Sequence, residues 1–340
     1  TTKVLGTMLG PLEAGVEDSL IAKDGRVHST WNAHVVAPGR LSSQNPNMQN
    51  SVKKAGLKRL RAVFAAAPGH VLLGFDLKQA HLRIIANHWG IPSLKDAYLQ
   101  RHDPYMLTAA AIFGREDLLR GGWSGDPAKK PLDGSPAATL RQAAKTYLLS
   151  GLYAASAETK QIVIAGTEDE VLGQGGRPTG DTVFPYLNID VPMVDGWDEA
   201  WHQAEPGWKR AWDEAAARYR ANGGWLREPV LGRKSGSLND GELNDTVNYE
   251  PLAAEASLMR LVEARVLDAF PFECDGPGTG LIAQTHDGGI LELADRGLEE
   301  NTRRQHLLEE CATLGVLDAL GWDVSMEAET GTGYAMDALG

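Results

Sequence analysis

Three short stretches of this chain, in a fixed order, limit what it can fold into. In the first, residues 75–83, Asp76 directly follows an apolar run at 71–75 that is typical of a buried strand. The second, residues 141–153, has helical spacing, and the third, residues 284–287, leads into two glycines in a hairpin pattern. A fold that uses all three must bring together a strand end, a helix face and a hairpin tip.

The two aspartates of these stretches have structural and chemical interpretations. Asp76 could N-cap the following helix, and Asp287 could form a type I′ turn with Gly288. Each aspartate alone favours the structural interpretation. Strand ends of one sheet could also bring the two carboxylates together, with the backbone carbonyl of Leu77 as a further oxygen ligand. Because Mg²⁺ prefers a few hard oxygen ligands, such a pair could hold divalent cations for phosphoryl transfer.

The middle stretch carries a repeat of four residues at Arg141, Lys145, Leu149 and Tyr153. On a helix each member is offset by ~40° from the last, so the four form a gently spiralling face ~18 Å long, about the length of an extended nucleotide. Two cations at one end suit a triphosphate, while the leucine and tyrosine offer apolar and stacking surface. An ordinary amphipathic helix, with its charges in solvent and its other leucines in the core, explains the spacing equally well.

The distribution of charge favours nucleic acid as a partner although the chain has a formal net charge of −12. Residues 25–75 contain no Asp or Glu, and their basic residues are Arg26, Arg40, Lys53, Lys54, Lys58, Arg59 and Arg61. The segment 39–50 is also rich in amides and hydroxyls, which suit phosphates and minor-groove acceptors. A solvated surface with a chance run of positive charge is the alternative.

Local patterns predict a mixed helical and sheet fold. We predict helices at 79–89, within 95–122, and at 137–156, 206–222 and 296–314; a hairpin at 281–293; an irregular insertion at 165–196; the end of a helix at 5–22; and a polar, loosely held stretch of ten residues at the C-terminus.

Composition excludes several classes of protein. The chain has 340 residues, 43% of them hydrophobic, without a run of ~20 apolar residues and without a signal-peptide pattern at its start. We therefore expect no membrane association and a cytoplasmic location. Cys274 and Cys311 lack the close Cys and His partners of a zinc site, so we expect reduced structural thiols.

The ordered motifs resemble those of family A DNA polymerases, the bacterial polymerase I group and its phage relatives. Residues 76–83 resemble motif A (D-Y-S-Q-I-E-L-R), residues 141–153 keep the R-x3-K-x3-F-x3-Y spacing of motif B, and residues 284–287 resemble motif C (Q-V-H-D-E). Residues 26–50 resemble the segment before motif A, and residues 206–234 resemble the late fingers. The resemblance covers nearly the whole chain.

The resemblance implies an α+β, right-hand polymerase fold with an antiparallel palm sheet and helical fingers, and with the thumb largely missing. The implied division is a remnant of the thumb helix at 1–25, palm at 26–95 with motif A, fingers at 96–240 with motif B, and palm at 241–340 with motif C. An exonuclease domain and therefore proofreading are expected to be absent from this chain, and a separate chain could supply the missing parts.

The resemblance also implies roles for individual residues. The predicted catalytic and metal-binding residues are Asp76, Asp287, Leu77 and Lys145, with Lys145 as the proton donor to pyrophosphate. The predicted nucleotide-binding residues are Arg141, Lys145, Leu149, Tyr153, His81 and Gln79. The predicted DNA-binding residues are Arg40, Asn47, Gln49, Asn50, Lys53, Lys54, Arg233, Asn248 and His286. The implied reaction is a two-metal transfer of a dNTP onto a primer 3′-hydroxyl of primer-template DNA, with two Mg²⁺ ions for which Mn²⁺ could substitute.

Several positions depart from the family pattern. His81 stands where motif A has the glutamate that excludes the ribose 2′-hydroxyl, Leu149 replaces the motif B aromatic, and Gly288 replaces the motif C glutamate. Leu252 falls where the family has a minor-groove glutamine, and Tyr105 where it has a fingers histidine. These changes keep two alternatives open: a non-catalytic subunit that binds primer-template DNA, and an enzyme related to single-subunit RNA polymerases.

Overall fold

The computed structural model describes residues 21–33, 35–50, 58–165, 189–236, 238, 243–270 and 280–339. Its strands are β1 (Thr30–Asn32), β2 (Ser42–Gln44), β3 (His70–Leu77), β4 (Gly280–Thr285), β5 (Gly288–Ala294) and β6 (Ala328–Gly333). Its α-helices are α1 (Ala80–His88), α2 (Pro92–Leu99), α3 (Pro104–Phe113), α4 (Arg115–Arg120), α5 (Pro136–Leu152), α6 (Ala157–Ala165), α7 (Val191–Ala204), α8 (Gly207–Ala221), α9 (Leu243–Ala269) and α10 (Leu298–Ala312). Among these helices, none is long and apolar enough to cross a membrane.

The predicted α+β class is confirmed. The predictions for the helix before residue 21, for Lys53, Lys54 and Cys274, and for residues 166–188 lie outside the described residues.

The main sheet positions the predicted motifs. In the described chain it has four antiparallel strands in the order β4-β5-β3-β6. β3 precedes the long helical stretch in sequence and the other three strands follow it, so the sheet joins two distant parts of the chain. The register pairs Asp76 in β3 with Gly288 in β5 on one side and with Glu329 in β6 on the other. The predicted strand at 71–75 and the hairpin at 281–293 are confirmed.

The two central strands of the sheet, β3 and β5, are buried on both faces, which explains the nearly continuous apolar run of β3. Because side chains alternate along a strand, Val71, Leu73 and Phe75 pack with apolar residues of α9 and α10. Leu72 points into a second cluster with Ile290 and Met336. Burial of one such side chain stabilises the fold by roughly 1.5–3 kcal/mol. The central strand that carries Asp76 is therefore held rigidly.

The helix α5, which carries the four-residue repeat, begins at a typical N-terminal signal. The side chain of Ser135 accepts a hydrogen bond from the amide of Ala138, and Pro136 occupies the first turn. Ala137 and Ala144 pack in a cluster with residues of α3 and α4, including Met106 and Leu118. Because this packing buries the face of α5 that carries the two alanines, the remaining surface of the helix can line a neighbouring cleft.

The prediction of irregular chain across 165–196 is wrong at its C-terminal end. The helix α7 begins at Val191, and the side chain of Asp190 accepts a hydrogen bond from the amide of Met193 at 2.9 Å. Pro192 is a loop signal in an isolated sequence, but proline in a first helical turn is favourable because it lacks only an amide that has no intrahelical partner. Tertiary packing then overrides the breaker at Gly196.

The prediction of a loosely held C-terminus is also wrong. β6 ends at Gly333 and pairs with β3, and a short 3-10 helix, Met336–Leu339, follows it. Leu339 lies over Gly74 and Gly331, so a Cβ on Gly331 would come within 2.7 Å of the Leu339 carbonyl oxygen. The two glycines of the strand, Gly331 and Gly333, hide its strand pattern in the sequence while allowing this close approach.

The packing of the C-terminal segment predicts an effect on stability. Met336 is only 4% exposed, so Met336→Ala should lower the free energy of unfolding by about 2–5 kcal/mol through lost burial and a residual cavity. Leu298→Ala is the control, because Leu298 is 83% exposed, and should change stability by less than about 0.5 kcal/mol. Urea unfolding followed by circular dichroism measures both. Equal stabilities of the two variants would contradict a packed C-terminus.

Candidate active site

The two aspartates singled out in the sequence lie side by side at one end of the main sheet. Asp76 is in β3, and Asp287 is in the two-residue turn between β4 and β5. The backbone amide of Leu77 donates a hydrogen bond to the carbonyl of Asp287 at 2.8 Å. Asp76 does not cap the following helix, because the N-cap residue is Gln79. The structure thus brings the two residues together at one end of the sheet.

The turn that carries Asp287 differs from the predicted type I′ turn. His286, which is exposed, has a φ of 55°, whereas Asp287 does not have a positive φ. A type I′ turn needs positive φ at both central residues. Gly288 and Gly289, expected at the tip, lie inside β5. The turn therefore consists of His286 and Asp287, and the glycines serve the strand.

The absence of a side chain at Gly288 has a local cause. A Cβ at this position would lie 2.5 Å from the carbonyl oxygen of Phe75 and 2.8 Å from Oδ1 of Asp76. Real Cβ atoms do not approach other atoms this closely, so a side chain here would displace β3 or the Asp76 carboxylate. The glutamate expected from motif C therefore has no room in this backbone arrangement.

Both aspartates line a cleft of about 800 Å³, within the usual range of ligand pockets. Six of the residues that sequence analysis assigned to nucleotide binding or catalysis line it together with Asp76: Gln79, His81, Arg141, Lys145, Leu149 and Asp287. The other charged residues that line it are Lys78, Arg83, Arg101, Asp103, Lys130, Glu327 and Glu329. One cavity therefore joins an acidic sheet end to the cationic face of α5.

The cations of α5 are held by residues that sequence analysis did not assign to them. Nε of Arg141 lies 2.6 Å from Oδ2 of Asp103, and this aspartate also caps α3 by accepting a bond from the amide of Tyr105. The Arg141 guanidinium and the Lys145 ammonium lie 5.2 and 5.5 Å from the centre of the Tyr105 ring. Burial raises the pKa of Tyr105 well above its usual value, so the ring stays neutral between them.

The apolar end of the same helix face reaches the sheet side of the cleft. α5 ends at Leu152, and Tyr153 is its C-cap residue. The Tyr153 ring meets the imidazole of His81 edge-on, with 6.2 Å between the ring centres. Burial raises the pKa of Tyr153 to about 12. Leu149, the repeat residue that precedes Tyr153, lines the cleft itself.

Gln79 adopts a left-handed backbone conformation, with a φ of 52°, between β3 and α1. The hydroxyl of Tyr98 donates to its Oε1 at 2.8 Å, and its Nε2 donates to Asp103 Oδ1 at 3.4 Å. Its side chain therefore links the sheet end to the residue that orients Arg141.

Sequence analysis missed Glu255, a completely buried carboxylate in α9. Its Oε1 accepts from Nη2 of Arg40 at 2.5 Å, and its Oε2 lies 2.7 Å from Nε2 of His81. Burial raises the pKa of this carboxyl, but His81 and Arg40 outweigh burial and hold the pKa below its usual value. The one available signal was a single acid in the apolar run 252–258.

The polar segment before β3 uses its amides within the protein. Oδ1 of Asn47 accepts from Ser43 and from the amide of Gln49, both at 3.0 Å. Nε2 of Gln49 donates to the carbonyls of Leu41 at 2.8 Å and Gln284 at 3.3 Å. Asn50 lies in the same 3-10 helix. These bonds attach the segment to β4, the strand that leads to Asp287.

Two further predicted DNA-binding residues lie outside the lining of the cleft. Arg233 donates through Nη2 to the carbonyl of Pro38, which precedes Arg40 by two residues. In α9, Oδ1 of Asn248 is buried without a hydrogen-bond partner among the described residues. Buried amide oxygens normally accept a hydrogen bond, so this oxygen is available to a donor from a binding partner.

Comparison with known proteins agrees with the motifs. Residues 2–119 match the family model of DNA polymerase family A. The thermostable DNA polymerase I of Thermus filiformis is 28% identical over 341 residues, which cover 98% of this chain and 34% of the relative. DNA polymerase I of Deinococcus radiodurans is 33% identical over 340 residues, or 97% of this chain and 30% of the relative. This chain thus spans about a third of the length of these relatives.

A solved structure shares the fold. The polymerase domain of Pol1 from M. smegmatis, described in complex with DNA primer-template and dNTP, superposes with a TM-score of 0.68 at 22% identity, covering 94% of this chain and 49% of that one. The family match includes the first of the three motifs, at residues 76–83, and the two curated relatives are similar over nearly the whole chain. The match of residues 2–119 to the family model and the similarity of the relatives over nearly the whole chain support a polymerase core of DNA polymerase family A.

Proposed function

We propose that this chain is a DNA-directed DNA polymerase core that transfers a nucleotide from a dNTP to a primer 3′-hydroxyl. The primer oxygen attacks the α-phosphate in line, the bond to the β-phosphate oxygen breaks, and pyrophosphate leaves. The observation that carries the proposal is that Asp76 and Asp287 line one cleft with Arg141 and Lys145. Acidic and cationic groups facing across one cavity suit a metal-assisted reaction of a triphosphate.

The residues at the sheet end fit Mg²⁺, with Mn²⁺ as a substitute. No group of three or more His, Cys, Asp and Glu suited to a metal occurs in the described residues. Two carboxylates nevertheless match the usual Mg²⁺ pattern, in which one or two protein carboxylates act together with substrate phosphates and water. Asp76 and Asp287 would hold two ions, which would lower the pKa of the primer hydroxyl and neutralise charge on the leaving pyrophosphate.

The chain's own cations would bind and orient the triphosphate. Arg141 can hold two phosphate oxygens through its planar guanidinium, and Lys145 acts as a point charge that can also donate a proton to the leaving pyrophosphate. Asp103 restricts the guanidinium before substrate binds, which reduces the entropy lost on binding. Leu149 and Tyr153 would contact the sugar and base of the incoming nucleotide.

The proposed partners are primer-template DNA and dNTPs. Arg40 and His286 would lie at the primer end, while Asn248 would use its unpaired amide oxygen toward the duplex. Asn47, Gln49, Asn50, Lys53, Lys54 and Arg233 would contact the DNA backbone or minor groove.

A second candidate is a non-catalytic subunit that binds primer-template DNA. The lack of room for a motif C glutamate at Gly288 favours it. It predicts DNA binding without nucleotide incorporation in either Mg²⁺ or Mn²⁺. A ribonucleotide polymerase, suggested by His81 at the sugar-selecting position, predicts preferential incorporation of rNTPs.

Primer extension by the purified chain tests the proposed function, and Lys145→Ala sharpens the test. We expect extension of a primer on its template with dNTPs and Mg²⁺. Lys145→Ala should lower kcat/KM for dNTP by about 10²-fold or more, because a preorganised charge at the leaving group is lost. Lys209→Ala, which removes an exposed lysine of α8, is the control and should match the unsubstituted protein. An unchanged nucleotide dependence in Lys145→Ala would contradict its role.

A further inference from the structure

We propose that Glu255 is a positioning residue for sugar selection, supplying from α9 the carboxylate that motif A of the family carries at the position of His81. The inference rests on the proposed function and deepens it. Glu255 is completely buried, and its two oxygens engage Arg40 and His81. Of these three residues, His81 lines the nucleotide cleft. The carboxylate therefore acts on the cleft through the imidazole.

Arg40 and Glu255 both lie close to Nε2 of His81. Nη2 of Arg40 lies 2.6 Å from Nε2 of His81. A guanidinium can only donate, so these two nitrogens cannot share a stable contact if Nε2 also carries a proton. Glu255 contacts both side chains, because its Oε1 accepts from the guanidinium and its Oε2 lies 2.7 Å from Nε2. Its negative charge attracts the guanidinium, and its two oxygens hold the guanidinium and the imidazole beside each other.

The imidazole that Glu255 holds is also packed against the nucleotide face of α5. The edge of the Tyr153 ring meets His81 with the planes at 83°. The pKa of Tyr153, raised chiefly by burial, is also affected by Arg40 and by Glu255, so their charges act at its hydroxyl. A fixed imidazole beside the cleft can exclude an added 2′-hydroxyl by occupying its space, whereas a freely rotating one can yield to it. Rigidity of His81 is thus the property that would set the choice of sugar.

The same pair of helices contains a matched cluster outside the cleft. Near the other end of α1, Nε2 of His88 lies 3.0 Å from Oε2 of Glu250, which also accepts from Arg218 at 2.7 Å. Burial raises the pKa of Glu250, and His88 and Arg218 bring it below its usual value, as at Glu255. Neither Glu250 nor His88 lines the cleft. Each cluster joins one histidine of α1, one glutamate of α9 and an arginine. A substitution of Glu250 is therefore a control for the loss of stability that follows from removing a buried carboxylate.

The test compares discrimination between a dNTP and the matching rNTP in three variants of the full chain. Glu255→Gln should lower the ratio of kcat/KM for dNTP over rNTP by at least about tenfold. Glu250→Gln should lower stability similarly and leave the ratio unchanged. His81→Glu combined with Glu255→Gln returns the carboxylate to the motif A position and should restore the ratio to within about threefold of the unsubstituted protein.

The corresponding ratio of affinities, for dNTP over rNTP, is measured by equilibrium binding of both nucleotides to the protein on a dideoxy-terminated primer-template with Ca²⁺. An unchanged ratio in Glu255→Gln, or an equal fall in Glu250→Gln, overturns the inference. If primers are not extended but binding discrimination falls only in Glu255→Gln, the proposed catalysis fails and the inference stands. Failure of the unsubstituted protein to bind either nucleotide overturns both.

Discussion

Asp76→Asn and Asp287→Asn are each expected to abolish primer extension while leaving the fold intact. Both residues line the cleft, and amides are poor ligands for a hard divalent cation compared with carboxylates. Loss of charge stabilisation at the reacting centre should lower kcat by about 10³-fold or more. The measurement is single-nucleotide extension, with DNA affinity measured by fluorescence anisotropy at one fixed salt concentration.

A carboxylate at the far end of β5 provides the control. Asp295 directly follows this strand and accepts hydrogen bonds from the amide of Gly297 and from Asn301. Asp295→Asn should extend primers like the unsubstituted protein, because its side chain lies outside the lining of the cleft. DNA affinity should stay within a few-fold in all three variants. Extension above a tenth of the normal rate by either active-site variant would refute the assignment.

Gly288→Ala is expected to impair both stability and extension. The added methyl group would lie 2.5 Å from the Phe75 carbonyl oxygen and 2.8 Å from Asp76 Oδ1, so β5 must move away from β3 or the carboxylate must rotate. Overpacking of this kind lowers the free energy of unfolding by about 1–3 kcal/mol. Movement of Asp76 by even ~1 Å could reduce extension by ~10²-fold. Gly288→Glu, which restores the residue of the family motif, should be at least as damaging.

Gly196→Ala separates the clash from the general effect of replacing a glycine. A Cβ on Gly196, in α7, would meet no atom within 4 Å beyond the backbone of its own helix. Alanine there should leave extension unchanged and stabilise the helix by up to about 1 kcal/mol. Urea unfolding and extension assays are applied to both variants. Normal stability and normal extension in Gly288→Ala would show that the strands can separate without moving Asp76.

Some parts of the site could be predicted because their signals are local. The apolar run before Asp76, the helical pattern at 137–156 and the hairpin around Asp287 are each local signals. The structure has the strand, a helix at Pro136–Leu152 and the hairpin. The errors occurred where a breaker has two interpretations. Proline began α7 rather than a loop, and the glycines at 331 and 333 belong to a strand rather than to a loose end.

Other parts depend on contacts between distant residues. Arg40 and Glu255 are 215 positions apart, and Asp103 orients Arg141 from the start of another helix. In the sequence, Asp103 is recognisable only as a possible cap before a proline, and Glu255 only as an acid in an apolar run. The side chains of Asn47 and Gln49, which we predict to contact DNA, also form hydrogen bonds within the protein, and the sequence gives no sign of these bonds.

By itself, the sequence determined the order and local geometry of the three motifs, because strand, helix and turn preferences act over a few residues. The tertiary structure alone decided which charges meet. Strand register brought Asp76 beside Gly288, and packing of α9 against α1 placed a buried carboxylate behind His81. A buried charge is tolerated only where opposite charges or hydrogen-bond donors surround it, and which distant residues provide them is set by packing of the whole chain.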